Sequence, residues 1–306
     1  MKISIIISTY SANRYSDLVD LLENIKIQTY DNIETIIIVD KDKVLYNKIE
    51  NFISNNINMK IIFNPENKGL SSSRNIGIVH ATGDIITFID DDAIPDPKWI
   101  EVITNTFRSD DVGAVTGDII PLWENEDMSW FPKELHWMIS CSYIMTPSTK
   151  CEIERGFGTN MSFKKSIIDK IGMFNTNLGI NGKNWVGGED TDIFLRVREF
   201  GNKVIFDPDA KVFHKICAHR VNIWNIIKRA FDGGFSVAAM SKVRRYDITN
   251  STENGYLKRL FFKFYPDKLK ELIITPSWMI TSKQITIVTT VILLEGIGYL
   301  YGKYIN

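Results

Sequence analysis

Three consecutive carboxylates, Asp90, Asp91 and Asp92, follow an apolar run at residues 85–89. Adjacent carboxylates repel one another, and this destabilises a fold unless a cation or strong hydrogen-bond donors offset the repulsion. Hard oxygen ligands of this kind suit Mg²⁺ or Mn²⁺ bridging to substrate phosphates. The alternative is a solvated acidic turn, or an N-cap for the helix near Pro97. Because the triplet follows a strand that reads as buried, the metal interpretation is favoured.

The elements that must position the triplet alternate along the first half of the chain. Apolar, β-branched runs predict strands at residues 2–7, 33–39, 59–63 and 85–89, and helical spacing predicts helices at 16–28, 44–55, 71–81 and 98–107. Near-continuous Ile/Val runs between helices indicate a parallel sheet covered on both faces. Ligands of such sheets bind outside the carboxyl ends of the strands. Most weight therefore falls on residues 8–10, 40, 64–65 and 90–92.

The pattern is less regular after residue 107. Further strands are predicted at residues 112–116, 159–163, 203–206 and 210–214, and a helix at 187–200. Residues 121–156 are aromatic-rich and are predicted as a loop-and-helix insertion.

Composition bounds the class of protein. The 306 residues suffice for one large α/β domain or a domain with an appendage. A formal net charge of -1 gives no sign of nucleic acid as a partner. Three cysteines without a CxxC pair indicate reduced thiols in a cytosolic protein. The apolar residues 1–10 are too short for a signal peptide and read as a first strand.

Six ordered segments resemble the sequence pattern of family 2 glycosyltransferases with the GT-A fold. They are residues 4–10, residues 28–40, residues 64–77 with their Arg-Asn helix, residues 83–92 with a DxD-type motif, the acidic residues 188–192, and residues 212–214 ending in a histidine. Each segment is weak alone, but six in this order make chance agreement unlikely. The resemblance covers about residues 2–215. It implies a Rossmann-like α/β fold with a mostly parallel central sheet and flanking helices, here with a C-terminal helical extension.

The resemblance implies a nucleotide-sugar site. Asp40 would contact the base, and Ser8 and Tyr10 would line the same pocket. The family commonly has two aspartates and a glycine here, whereas this chain reads Val-Asp-Lys-Asp at residues 39–42. Gly69 permits a positive φ or a close approach of the backbone. Arg74 would face the diphosphate, for which a guanidinium is well suited; the alternative is a surface helix cation, and for Asp40 it is a strand-ending turn.

The DxD-type motif would hold the metal and the leaving group. Asp92 would bind Mg²⁺ or Mn²⁺ directly, while Asp90 or Asp91 would reach the ribose, the metal or a metal-bound water. His214 would approach the metal or the diphosphate, although a single histidine is more often structural.

The catalytic base is expected in the second acidic group. An inverting transfer needs a carboxylate that takes the acceptor proton and is separate from the metal site. By its match to the family motif, Asp190 would be that base, with Glu189 and Asp192 as alternatives. Gly187 and Gly188 would allow a tight turn into the helix. Carboxylates in a first turn also stabilise a helix, which is a credible role for Asp192 and less so for Asp190. Trp185 would stack on a sugar or simply pack.

The last third of the chain has a different character. We predict a nucleotide-sugar transferase domain at residues 1–220 and a helical, basic-aromatic extension at 221–306. Residues 229–240 loosely resemble family members that act on lipid-linked acceptors. Residues 242–283 interleave Lys and Arg with aromatics, which suits an anionic membrane surface. Residues 285–301 are predicted as a hydrophobic helix, either tilted or re-entrant in a membrane or packed on the protein; Glu295 argues against a simple span.

The resulting hypothesis is an inverting, metal-dependent glycosyltransferase. It would move a sugar from a nucleotide-sugar, with UDP as the expected nucleotide, to a lipid-linked or cell-surface glycan. It would work in the cytoplasm, peripherally at the cytoplasmic face of the membrane. A nucleotidyltransferase is the rival enzyme, but it favours a Gly-rich, Lys-bearing motif after the first strand, and residues 8–12 hold no glycine. A non-catalytic glycan-binding protein would need neither the triplet nor Asp190.

Overall fold

The computed structural model describes residues 1–54, 56–66, 68–124, 127–179, 187–244, 252–274, 276 and 278–305. Contacts divide the chain into two compact units. The first unit comprises residues 1–121 and 147–215, and the second comprises 122–146 and 216–306. The sequence division at residue 220 lies near the last of these boundaries, between residues 215 and 216, and it stays a prediction. Trp185, which the sequence analysis singled out, lies outside the described residues.

One nine-stranded sheet runs through the described part of the chain. Its strands are β1 (Ile3–Thr9), β2 (Ile33–Asp40), β3 (Met59–Asn64), β4 (Ile85–Ile89), β5 (Ala93–Pro95), β6 (Val112–Trp123), β7 (Cys151–Glu152), β8 (Asn160–Lys164) and β9 (Lys203–Ile216). The order across the sheet is β3-β2-β1-β4-β8-β6-β9-β5, and β7 pairs with β9. Pairing is parallel among β1 to β4 and antiparallel where β8 meets β4 and β6, and where β9 meets β5 and β7.

Ten α-helices accompany the sheet in the described residues. They are α1 (Tyr15–Lys26), α2 (Lys43–Ile53), α3 (Leu70–His80), α4 (Trp99–Thr106), α5 (Lys165–Ile171), α6 (Glu189–Glu199), α7 (Ile223–Arg244), α8 (Thr252–Arg259), α9 (Tyr265–Ile274) and α10 (Trp278–Tyr304). Short 3-10 helices lie at Ala12–Arg14, Lys133–Ile139 and Ala218–Val221, and a π turn at Leu260–Phe264 joins α8 to α9.

The near-continuous isoleucine runs are explained by two cores, one on each face of the sheet. Side chains alternate across a strand, so Ile5 and Ile7 of β1 pack in the core that contains Leu21 of α1. Ile6 points the other way and packs with Ile78 of α3. A strand that is buried on both faces leaves few positions for a charged side chain except near its ends. The chemistry is therefore confined to the strand ends.

Prediction and structure differ mainly in the second half of the sheet. The mixed α/β architecture is as predicted, but parallel pairing covers only β1 to β4. The two strands predicted at 203–206 and 210–214 are one strand, β9, which continues through Pro208. The short elements β5 and α5 were not predicted, because three and seven residues are too few to show a period.

The second unit is built around a helix pair. A Cβ added to Gly234 of α7 would lie 1.8 Å from the Glu295 carbonyl oxygen, and one added to Gly298 of α10 would lie 2.1 Å from the Phe231 carbonyl oxygen. Only glycine fits at these two positions, so the backbones of α7 and α10 approach closely there. In the described residues, α10 is the one helix long and apolar enough to cross a membrane.

Candidate active site

The acidic triplet and His214 meet because two distant strands pair. The triplet follows β4, and the chain then enters β5, which pairs with β9 so that Ala93 lies opposite His214. Ligand atoms of Asp90, Asp92 and His214 all lie within 4.8 Å of one another. His214 is fully buried, and its Nε2 lies 3.1 Å from Asp92 Oδ1. Residues more than a hundred positions apart thus form one compact cluster.

Two carboxylates and an imidazole make a donor set that fits a divalent cation. Carboxylate oxygens suit Mg²⁺ and Mn²⁺, and an imidazole nitrogen is a common additional ligand of transition metals. Asp90 is half-buried, so one side of the cluster remains open to a substrate. The surrounding groups therefore fit an Mg²⁺ or Mn²⁺ ion that keeps coordination positions for phosphate oxygens.

Asp91, the middle member of the triplet, has a different environment. It is buried, and its Oδ2 lacks a hydrogen-bond partner within the described part of the chain. Burial raises the pKa of the Asp91 carboxyl to about 7, and the charge of Asp92 acts in the same direction. The Ser8 hydroxyl, at the end of the neighbouring strand β1, is likewise buried without a partner among these residues. Unsatisfied polar atoms of this kind concentrate where a ligand or ion is to bind.

Arg14 is a site residue that the sequence reasoning missed. It ends the 3-10 helix after β1, and its Nη1 donates to Asp92 Oδ2 at 2.7 Å. Burial opposes its charge, but the carboxylates of Asp92 and Asp91 outweigh burial and raise the pKa of Arg14. Its position just after the first strand lies at the binding edge of such a sheet, but an arginine in a polar turn is not by itself a site signal.

Arg74 links the triplet to the second acidic group. It is 3% exposed, so the alternative of a surface cation is wrong. Its guanidinium donates to Glu189 Oε1 at 3.0 Å and to the Gly158 carbonyl at 3.3 Å, and lies 3.5 Å from Asp90 Oδ1. Gly69, which precedes α3, has a φ of 94°, a backbone conformation that favours glycine. The backbone turn at Gly69 directs the start of α3, and with it the Arg74 side chain, toward the site.

The carboxylates of α6 have separate partners. Glu189 is buried and paired with Arg74; burial raises its pKa to about 7, the charge of Asp190 adds to this, and Arg74 opposes it. Asp190 is half-buried, and its two oxygens accept from the backbone N–H groups of Gly158 and Thr191 at 3.1 and 2.7 Å. Asp192 forms an ion pair with Arg196 one turn further on. The three side chains therefore do not converge on one point as Asp90, Asp92 and His214 do.

Asp40 ends β2, and Tyr10 follows the end of β1 at the same edge of the sheet. Asp40 is buried and accepts hydrogen bonds from Asn64 at 2.6 Å and from Ser73 at 2.5 Å. Burial raises the pKa of Asp40, while these two donors favour its ionised form. Tyr10 is 60% exposed. Asp40 is thus held rigidly by side chains of β3 and α3, while Tyr10 is accessible at the end of β1.

Two solved structures with the same architecture are those of glycosyltransferases. A mannosyltransferase from Pyrobaculum calidifontis, in complex with GDP-Man and Mn²⁺, aligns with a TM-score of 0.63 at 15% identity, covering 99% of this chain and 88% of that one. GalNAc-T7 with UDP, GalNAc and Mn²⁺ aligns with a TM-score of 0.57 at 16% identity, covering 89% and 57%. At these identities the likeness shows the fold, which is GT-A.

Sequence relatives define the family. The model of glycosyl transferase family 2 matches residues 4–172, more than half of the chain, and the chain belongs to this family. It is 31% identical over 304 residues to the glucosyl-dolichyl phosphate glucuronosyltransferase of Haloferax volcanii, covering 99% of this chain and 96% of that protein. It is 26% identical over 229 residues to a pre-mycofactocin glycosyltransferase of Mycobacterium tuberculosis, covering 70% and 43%. The protein is therefore a glycosyltransferase, as the sequence segments predicted.

Proposed function

We propose that this protein is an inverting, metal-dependent glycosyltransferase that moves a sugar from a nucleotide-sugar, with UDP as the expected nucleotide, to a hydroxyl of a lipid-linked glycan. The observation that carries the proposal is the presence of two acidic groups with different geometry on either side of Arg74. Asp90 and Asp92 converge with His214, whereas Asp190 lies apart from them on α6. A single displacement at an anomeric carbon needs both a cationic site and a separate base.

The proposed reaction needs one base to accept a proton and one leaving group to accept an electron pair. The acceptor oxygen forms a bond to the anomeric carbon as its proton passes to Asp190. The bond between the anomeric carbon and the diphosphate oxygen breaks, and the nucleoside diphosphate leaves with the electron pair. Mg²⁺ or Mn²⁺, held by Asp90, Asp92 and His214, would supply positive charge to that leaving group. Arg74 is close enough to Asp90 to add a second cation beside the diphosphate.

The geometry favours Asp190 over Glu189 as the base. A base needs a carboxylate oxygen that can reach the acceptor, and Asp190 is more exposed than Glu189. The backbone N–H groups that hold Asp190 leave lone pairs on both of its oxygens. Glu189 is buried and engaged by Arg74, so it acts as the counter-ion that keeps this guanidinium in place.

The donor nucleotide would lie at the carboxyl ends of β1 and β2. Asp40 has lone pairs remaining after its bonds to Asn64 and Ser73, and these can accept from the edge of a base. Ser8 and Asp91 offer buried polar atoms without partners in the described residues, as expected for groups that a ligand completes. The exposed Tyr10 ring is available to pack on the nucleoside.

A lipid-linked acceptor is supported by the near-full-length relative and by the surface of the second unit. That relative acts, by its name, on glucosyl-dolichyl phosphate. A lipid acceptor requires an enzyme that reaches a membrane, and α10 has a suitable outer face. Leu293, Ile297, Leu300 and Tyr304 follow one another at helical spacing and are each more than half exposed.

Glu295 does not interrupt this outer face. A Cβ added to Gly233 of α7 would lie 3.9 Å from Glu295 Oε1, so the carboxylate is on the side of α10 that packs against α7. Glu295 therefore does not place a charge on the face of α10 that is proposed to contact the membrane. Lys283 and Lys303 flank the apolar part of α10, and cations in such positions suit anionic lipid headgroups. We infer peripheral attachment at the cytoplasmic face of the membrane through this surface.

A transfer assay tests the donor, the acceptor and the stereochemistry together. The protein is incubated with Mn²⁺, one of a panel of UDP- and GDP-sugars, and a short polyprenyl-phosphate-linked monosaccharide. We expect transfer from one nucleotide-sugar, loss of transfer on chelation with EDTA, and inversion at the anomeric carbon by NMR. A product with retained configuration would contradict the mechanism, and transfer that persists in EDTA would contradict the metal site.

A vesicle flotation experiment tests membrane attachment separately. Wild-type protein should float with vesicles that contain phosphatidylglycerol, and the double variant Leu293→Glu/Ile297→Glu should remain with the soluble fraction. Val79→Glu is the matched control, because Val79 is equally apolar and is 69% exposed on α3 of the first unit. Equal flotation of all three proteins would contradict attachment through α10, while a concentration-dependent dimer lost only in the double variant would identify the face as a protein interface.

A further inference from the structure

The segment that leads into β8 contacts both acidic groups of the site. β8 pairs antiparallel with β4, and Asn160 lies opposite Ile89 in this pairing. The residues just before β8 therefore lie beside the residues just after β4. Gly158 and Thr159 are thus brought next to Asp90 by the register of the sheet, although they are about seventy positions away in sequence.

Three hydrogen bonds connect this dipeptide to the site. The Thr159 hydroxyl donates to Asp90 Oδ2 at 2.7 Å, and the Gly158 N–H donates to Asp190 Oδ2 at 3.1 Å. The Gly158 carbonyl accepts from Arg74 Nη2 at 3.3 Å. One short stretch of chain therefore touches a carboxylate of the metal cluster, the proposed base, and the arginine between them.

The dipeptide is well placed to hold these groups still. Thr159 is 1% exposed. The next residue, Asn160, accepts from the Trp99 indole at 3.0 Å and donates to the Ala210 carbonyl at 2.8 Å, so the start of β8 is tied to α4 and β9. A Cβ added to Gly158 would lie 2.7 Å from Arg74 Nη2, so glycine is the residue that lets the arginine lie against this backbone.

We propose that Gly158 and Thr159 are positioning residues that set the relative orientation of the metal-binding carboxylate Asp90 and the base Asp190. This inference rests on the proposed function. In the proposed mechanism neither residue contacts the substrate. Thr159 acts through Asp90, and Gly158 acts through Asp190 and Arg74. Groups that orient a metal ligand typically change metal affinity or activity by about 10- to 100-fold when they are removed.

Thr159→Val is the primary test, because valine keeps the shape of threonine and removes the hydroxyl. We expect affinity for Mn²⁺ alone, measured by electron paramagnetic resonance of the free ion, to fall about 10-fold. We expect kcat to fall by a similar factor in the transfer assay. Thr159→Ser, which keeps the hydroxyl, should return both values to within about threefold of wild type.

Thr87→Val is the matched control. Thr87 lies on β4 opposite Ser162 of β8 and donates to the Ser162 hydroxyl at 3.1 Å, so it is also a buried threonine bonded across the same strand pair. We expect its variant to lose stability without a change in Mn²⁺ affinity. If Thr159→Val and Thr87→Val lower the melting temperature equally and neither changes Mn²⁺ affinity, Thr159 is only structural and the proposal fails.

Gly158→Ala tests the other half of the dipeptide. The added methyl group would displace the Arg74 guanidinium and shift the N–H that holds Asp190, so kcat should fall at least about 10-fold while KM for the donor changes less. An active Gly158→Ala variant with wild-type kcat would overturn the role of Gly158. A wild-type protein that binds Mn²⁺ and transfers no sugar would refute the proposed function instead, and the Mn²⁺ affinities of the Thr159 variants would still decide whether Thr159 orients Asp90.

Discussion

Buried carboxylates at the two edges of the central sheet have pKa values shifted in opposite directions. At the amino edge, Glu34 is 4% exposed and accepts from the Ser4 hydroxyl and from the N–H and hydroxyl of Thr82, at 2.6 to 2.8 Å. Burial acts to raise the pKa of Glu34, but these donors and Lys60 outweigh it and lower the pKa to about 2. At the carboxyl edge, Asp91 and Glu189 are each 7% exposed, and burial raises the pKa of each to about 7.

We interpret this difference as one between a carboxylate that stabilises the fold and carboxylates proposed to act in the site. Glu34 is fully satisfied by donors of its own chain, so its charge stabilises the fold. At the other edge, Asp91 Oδ2 has no hydrogen-bond partner in the described residues, and we expect a cation with a substrate to offset the charge of the triplet. Changes at the carboxyl edge should therefore alter binding and catalysis, while changes at the amino edge should alter stability.

The largest effect is expected for Asp92→Asn. This change removes a charge from the metal cluster while it keeps the shape of the side chain, so Mn²⁺ binding should be lost and transfer should fall by about 1,000-fold or more. Calorimetry with Mn²⁺ and activity assays measure the two effects. Asp169→Asn, at an exposed ion pair with Lys165, is the control and should behave as wild type. Retained Mn²⁺ binding in the Asp92 variant would place the metal elsewhere.

The second-largest effect is expected for Asp190→Asn. This variant should distinguish the role of the proposed base from that of the metal-binding carboxylates. Loss of a general base typically costs about 100- to 10,000-fold in rate, and Mn²⁺ affinity should stay within about threefold of wild type. Glu189→Gln keeps a hydrogen-bond acceptor for Arg74 and should lose only about 10-fold in kcat. If the Glu189 variant is inactive and the Asp190 variant is active, their roles are reversed.

Glu34→Gln should reduce stability and leave kcat unchanged. The folded pKa of about 2 lies below the ordinary value of 4.5, so the ionised carboxylate stabilises the fold. This contribution is complete above about pH 4.5 and is lost as the pH falls towards 2. The free energy of unfolding at pH 7 should drop by about 2 kcal/mol, and the difference between variant and wild type should shrink below pH 4. Urea denaturation at several pH values measures this, and a difference that grows at low pH would contradict it.

Arg14→Gln should have the smallest effect, on metal affinity. Arg14 donates to Asp92 and places a positive charge beside the metal cluster, so it competes with a divalent ion for that carboxylate. We expect Mn²⁺ to bind about fivefold more tightly in the variant when nucleotide is absent. Arg14→Lys, which keeps the charge, should resemble wild type. Weaker Mn²⁺ binding in Arg14→Gln would show that Arg14 orients Asp92 rather than competing for it.

Much of the fold could be predicted because its signals are local. The first four strands and their helices show clear periods, and β4 begins and ends where its isoleucine run does. The position of Asp40 and of the triplet at strand ends follows from the same pattern. Thr159 and Arg14 carry no comparable signal. A threonine before a short strand and an arginine in a polar turn occur in many proteins, and their contacts depend on which strands pair.

The sequence by itself determined the class of protein and the residue types available to the site, since strand-ending carboxylates and a Gly-Arg helix follow from local patterns. Only the tertiary structure decided how those residues are used. The antiparallel pairing of β4 with β8 brings Thr159 to Asp90, and the pairing of β5 with β9 brings His214 to Asp92. The physical reason is that strand order and register depend on the packing of whole elements, whereas the identity of a strand depends mainly on its own residues.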